Sequence, residues 1–209
     1  MDPQRVRRDG DRELLFTRTG PLRINMRVYN MQNQQDPLYY IDIDGSFGDD
    51  TDLTLHSGAD KHGPSFGSCH FNKFRTSQIQ ISPRLLPNCT MILSHEQGYR
   101  WSMPWVNFPG DSDPKAERHF IWRDKQPTRP ASLGSGKLEL ELCSTDSPDA
   151  HAVYDGAAPG TRKGGVLHLK DDLGEEWRTM VVLTLSPLIE KARQKRARGG
   201  SFTIGMLAY

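Results

Sequence analysis

The sequence predicts a mostly β protein: a single-domain barrel of about twelve short strands wrapped around one hydrophobic helix near the C-terminus. Three observations carry this. Short runs of alternating character recur along most of the chain, turn-forming residues separate them, and one long segment, Glu175 to Arg196, does not alternate. At about 100° per residue, Met180, Val181, Val182 and Leu183 point in four directions, so this helix is apolar on every side and must be enclosed. Strands of period two supply an enclosing wall that is apolar only inward.

Residues 1 to 12 are polar and basic and read as a disordered tail, leaving 13 to 209 as the domain. The predicted strands then run Glu13 to Thr17, Leu22 to Tyr29, Leu38 to Ile43, Asp52 to His56 and Ser77 to Ser82. They continue with Cys89 to His95, Tyr99 to Met103, His119 to Arg123, Lys137 to Cys143, Ala152 to Tyr154 and Val166 to Leu169. About eleven strands therefore precede the helix, and Ser201 to Tyr209 is expected as a last one. Pro104 to Lys115 and Lys125 to Gly136, rich in Pro, Gly, Ser and Asp, read as exposed loops.

The helix, Glu175 to Arg196, spans roughly 33 Å at about 1.5 Å per residue. Its uninterrupted apolar part, Met180 to Leu185, falls far short of the ~20 residues a bilayer requires. Asp171, Asp172, Glu175 and Glu176 lie at its start and basic residues at its end, matching the helix dipole, and Gly199 and Gly200 stop it. Leu185, Leu188, Ile189 and Ala192 share one face, with Glu190, Lys191, Arg193, Lys195 and Arg196 mostly outside it. The helix is thus expected to start inside the barrel and end in water. Pro187 removes a backbone donor and predicts a kink near Leu183, with Thr184 and Ser186 available to satisfy the freed groups.

The 209 residues suffice for one large domain with a real core, and 35% hydrophobic content with 19 Gly and 14 Pro suits a loop-rich β protein. A net charge of +1 supplies no global field toward nucleic acid or acidic lipid, so any such attraction must be local. Cys69, Cys89 and Cys143 form neither a disulfide framework nor a zinc signature. The N-terminus lacks an apolar stretch of secretory type, which predicts a cytoplasmic protein and an idle sequon at Asn88-Cys89-Thr90.

The Tyr99-Arg100-Trp101 strand, the Phe120-x-Trp122 strand, the LELEL run from Leu138 to Leu142, the VLHL strand from Val166 to Leu169 and the closing helix occur in a telling order. In this order the chain resembles the tubby C-terminal-like superfamily, which includes LURP-one-related and phospholipid-scramblase-like domains, and most closely its small fungal members. The resemblance implies a twelve-stranded barrel around a central hydrophobic helix. It also implies binding of phosphoinositides or association with membranes, without a motif that transfers residue by residue.

Lys191, Arg193, Lys195, Arg196 and Arg198 form the ligand-binding candidate, because basic residues gathered at one helix end give a local positive field for anionic lipid. The plainer reading of the same residues is a solvated helix terminus. Asp42, Asp44, Asp49, Asp50 and Asp52 invite a cation but lack the EF-hand order, and a hairpin loop explains them. His56, His62 and His70, with Cys69 beside the last, include a neighbouring pair that a strand would point to opposite faces. Trp101, Trp122 and Trp177 read as core, whereas Trp105 lies in a loop-like context. No nucleotide, metalloprotease or hydrolase motif occurs, so no catalytic residue, metal or cofactor is assigned. The expected function is a non-enzymatic binding or scaffold module, at a membrane surface or with protein partners. The alternative is a small-molecule enzyme with His and Asp acid–base residues around a barrel-mouth pocket.

Overall fold

The computed structural model describes residues 13–19, 24–44, 50–72, 77–84, 86–94, 98–104, 117–125, 137–146, 149–157, 163–171 and 173–197. Its first six strands are β1 (Glu13–Thr19), β2 (Asn25–Asn30), β3 (Asn33–Asp44), β4 (Asp50–Ser57), β5 (Ser65–Asn72) and β6 (Gln78–Pro83). Six more follow: β7 (Cys89–Ser94), β8 (Gly98–Pro104), β9 (Glu117–Asp124), β10 (Glu139–Ser144), β11 (Ala150–Gly156) and β12 (Lys163–Leu169). All twelve pair antiparallel with their chain neighbours, and β1 pairs with β12, Leu14 opposite Leu167, which closes the barrel. Closure leaves no unpaired edge.

Eleven of these strands coincide with the alternating runs of the sequence. The twelfth is β5, SFGSCHFN, whose inward positions Gly67, Cys69 and Phe71 are too small or too mixed to read as an apolar stripe. The reason is packing. The helix α1 (Glu175–Ala197) lies closest to β5, and a Cβ added to Gly67 would sit 2.8 Å from the Leu183 side chain and 2.9 Å from the Pro83 Cα. The wall is thin where the rod touches it.

The helix is enclosed as its composition demands. Every residue from Thr179 to Ala192 is buried, and Trp177 with them. Inward side chains of all twelve strands complete one core: Phe16 meets Tyr154 edge-on at 5.8 Å between ring centroids, and Trp101 stacks on Phe120 at 4.8 Å. Outward positions carry charge instead, as in the cross-strand pairs Arg123–Glu141 (2.7 Å) and His70–Asp52 (2.8 Å). A membrane-spanning barrel has the opposite arrangement, with its apolar band outside. Among the described residues no helix is long and apolar enough to cross a bilayer.

Two expectations for the helix change. It does not leave the barrel at its first basic residues, because Glu190 and Lys191 are still buried and only Ala197 is exposed at its end. Nor do Thr184 and Ser186 satisfy the carbonyl that Pro187 frees. The Thr184 hydroxyl donates to Met180 O (2.8 Å) and accepts from Trp122 Nε1 (3.0 Å), and Ser186 donates to Val182 O (2.6 Å). The Leu183 carbonyl is met from the wall, by the Cys69 thiol at 3.3 Å. Burial pushes the Cys69 thiol well above its usual range, which keeps the proton on sulfur and the group a donor. Of the two expected loops, Pro104 ends β8 and Lys125 N–H donates to Glu139 O; their remaining residues, Trp105 among them, the tail 1 to 12 and the predicted strand at Ser201 to Tyr209 lie outside the described residues.

This pairing yields a coupling. Cys69→Val leaves the buried Leu183 carbonyl without a donor and is expected to cost about 1–3 kcal/mol in urea unfolding. Adding Pro187→Ala returns a backbone N–H to that carbonyl, so the double variant is expected to lose less than the sum of the two single changes; strict additivity would contradict the Cys69–Leu183 contact.

Candidate functional site

Successive strands alternate in direction, so one end of the barrel collects the ends of odd strands, the starts of even strands and the C-terminal turns of α1. Here the helix becomes charged while still enclosed. Glu190 is 0% exposed and is the one buried carboxylate among the described residues. A carboxylate so placed needs partners, and it has several. Arg193 grips both oxygens through Nε (2.7 Å) and Nη2 (2.6 Å), and Gln194 Nε2 donates at 3.0 Å. Arg18 Nη1 from β1 approaches to 3.8 Å. Gln194 also reaches buried Thr51 Oγ1 on β4 at 3.1 Å, so Glu190 ties the helix to two parts of the wall.

The cations outnumber it. Arg18 and Arg193 meet a single carboxylate, Arg196 adds its charge against Arg18, and Lys191 and half-buried Lys195 lie on the same turns of the helix. Burial lowers the Arg18 pKa, Glu190 pulls it up, and the like charges of Arg193 and Arg196 push it down again. Burial lowers Arg196 too, with Tyr154 opposing, whereas the hydrogen bond to Glu190 raises Arg193. Tyr154 is itself anchored, its hydroxyl donating to the Gly164 carbonyl.

Lys191 differs from the arginines. It is 5% exposed, its Nζ lies 4.9 Å from the Phe71 ring centroid, and it has no hydrogen-bond partner among the described residues. Burial pulls its pKa down to about 8. The amine therefore remains mostly charged near pH 7 in a place where charge is poorly solvated. The Phe71 face returns part of the loss, on the order of 1 kcal/mol. Three hydrogen-bond donors stay unspent.

Of the basic residues read from the sequence, Lys191, Arg193, Lys195 and Arg196 thus converge on this end, while Arg198 lies outside the described residues. Arg18, Glu190, Thr51, Gln194 and Phe71 join them without having been singled out. Arg18 was findable: it shares strand parity with Leu14 and Phe16, both fully buried, so the alternation that turns those two inward turns Arg18 inward as well.

The other candidates lie elsewhere. Asp50 accepts from Asn72 Nδ2 at 2.8 Å and Asp52 pairs with His70, both across β4 and β5; Asp42 and Asp44 sit on β3, and Asp49 lies outside the described residues. No group of three or more His, Cys, Asp or Glu able to hold a metal occurs among the described residues. His56 contacts Gly63 O at 3.1 Å through Nδ1, and the His62 backbone N–H donates to Asp60. His151 pairs with Asp171 at 2.6 Å, and His168 with Glu13 at 3.1 Å, at the opposite end of the barrel. Cys69 faces inward and His70 outward, so they form no dyad. Trp101, Trp122 and Trp177 are core, and Trp105 lies outside the described residues. No protein-family model, curated protein or solved structure matches the chain.

A stability signature follows for Lys191. Below about pH 8 the amine is charged in both folded and unfolded chains, and the fold bears the burial cost. Between about 8 and its ordinary value of 10.5 the fold holds it neutral while the unfolded chain still binds the proton, so stability rises with pH across that window. Lys191→Met is expected to raise stability at pH 7 by roughly 1–3 kcal/mol and to flatten this window, measured by urea unfolding at pH 7 and pH 10.

Proposed function

We propose that this protein is a non-enzymatic binding module whose charged barrel mouth takes the anionic headgroup of a membrane phospholipid, phosphoinositides above all. The observation that carries the reading is the buried Lys191 amine, without a hydrogen-bond partner among the described residues, at the same end of the barrel as Arg18, Arg193 and Arg196. A phosphate oxygen would supply the acceptor that Lys191 lacks and offset the mutual repulsion of the arginines. Arginine suits this chemistry because its planar fork matches two phosphate oxygens at once, while lysine acts as a point charge. Lys195, on the last turns of the helix, and Arg198, which follows the described residues in sequence, complete the set. The resemblance to tubby-like barrels supports the same ligand class. The barrel acts as a rigid mount, since Glu190 fixes Arg193 and Gln194 before any ligand arrives. Attachment is peripheral, from the cytoplasmic side, where anionic lipid gives each basic residue near the surface about 1 kcal/mol of attraction.

Vesicle sedimentation tests this. The wild-type chain is expected to pellet with phosphatidylcholine vesicles containing phosphatidylinositol bisphosphate, and to lose binding at high salt. The variant carrying Lys191→Met and Arg196→Gln spares the Glu190 network and is expected to bind at least about tenfold more weakly. Equal pelleting of wild type and variant, or equal pelleting with neutral vesicles, would overturn the proposal.

A further inference from the structure

The opposite end of the barrel, where α1 enters, holds a cleft of a different character. It measures about 340 Å³ and is lined by Phe66, Pro83, Leu86, Thr179 and Met180, with Glu175 and Glu176 from the first turn of the helix. We propose that this cleft binds a small hydrophobic amine, the alkyl or aryl body against Phe66, Leu86 and Met180 and the ammonium at Glu175 and Glu176.

The floor is mostly apolar. Phe66 and Leu86 pack on the barrel core, Met180 belongs to it, and Phe66 is held edge-on against Tyr39 at 5.6 Å. Thr179 lies beside Tyr39 and partly offsets the rise in the phenol's pKa that burial causes. A ligand body there needs no polar groups of its own, and the volume suits one at the small end of the ~300–1,000 Å³ range of ligand pockets. The rim selects charge. Glu175 and Glu176 are both exposed and neither makes an ion pair among the described residues. Against them stand the helix N-terminus, equivalent to roughly half a positive charge, and Arg178, which acts on the Tyr39 phenol in opposition to Glu175. Among nearby cations, Arg84 reaches toward Ser65 O at 3.5 Å, and Arg178, adjacent in sequence, is not part of the lining. Two carboxylates therefore face outward over an apolar slot, the arrangement that discriminates an ammonium from an alcohol or a carboxylate of equal length. The site shares no residue with the phosphate-binding end.

Calorimetric titration of the full chain at pH 7 with octylamine, octanol and octanoate decides it. Octylamine is expected to bind about tenfold tighter than octanol, and octanoate more weakly than either. Changing Glu175→Gln together with Glu176→Gln, both at exposed positions, is expected to bring octylamine to the octanol affinity and leave octanol unchanged. Leu86→Trp, which fills the slot, is expected to abolish binding of both, with the thermal melt confirming the fold. Lys191→Met is expected to change none of these affinities, which separates this site from the lipid proposal. Equal binding of the three ligands, or octylamine binding unaffected by the glutamine pair, overturns the assignment.

Discussion

A helix apolar on every side through its first half can exist in this protein only because sheet surrounds it, and that enclosure turns several of its polar groups to partners in the wall. The partners are specific. Trp122 reaches Thr184, Cys69 reaches the Leu183 carbonyl, Thr51 reaches Gln194, and Arg18 approaches Glu190. These contacts fix the rotation and depth of the rod, which apolar packing alone specifies only loosely. Gly67 sets the distance of closest approach. Substitution of either surface without the other breaks a match rather than a single bond.

Much of this was legible from the residues. Period-two alternation locates a strand wherever inward positions are large and apolar, as in Ile79 and Ile81 or Leu140 and Leu142. It fails at β5 because the inward residues there are cut down to admit the helix, so a tertiary contact erases the local signal. The helix was legible for the same reason in reverse: nothing but enclosure explains four successive apolar directions. Its charged end was misread, since facial periodicity describes a rod at a surface and Glu190 and Lys191 lie within the wall. Pro187 misled in a similar way. A thiol from a strand more than a hundred residues earlier in the chain answers it, and no local pattern contains that donor.

The two ends of the rod now carry opposite chemistry on one axis. The order of charge along α1, acidic at the first turn and basic at the last, follows the helix dipole and would ordinarily be read as terminus stabilisation alone. Burial changes its meaning at the basic end. Arginines held against a fully enclosed carboxylate cannot turn away into water, and the Lys191 amine has only an aromatic face beside it. A protein carries such a group at the expense of its own stability.

The chain order of the elements has a consequence for how the molecule assembles. The strand that seals the cylinder, β12, joins β1 across about 150 residues, yet the occupant of the cylinder is translated after both. Because chains do not thread themselves through closed rings, the cylinder must remain open along at least one of its strand pairings until α1 is seated. Closure therefore cannot precede insertion, and the β1–β12 pairing joins parts of the chain far apart in sequence, the kind of contact that slows folding.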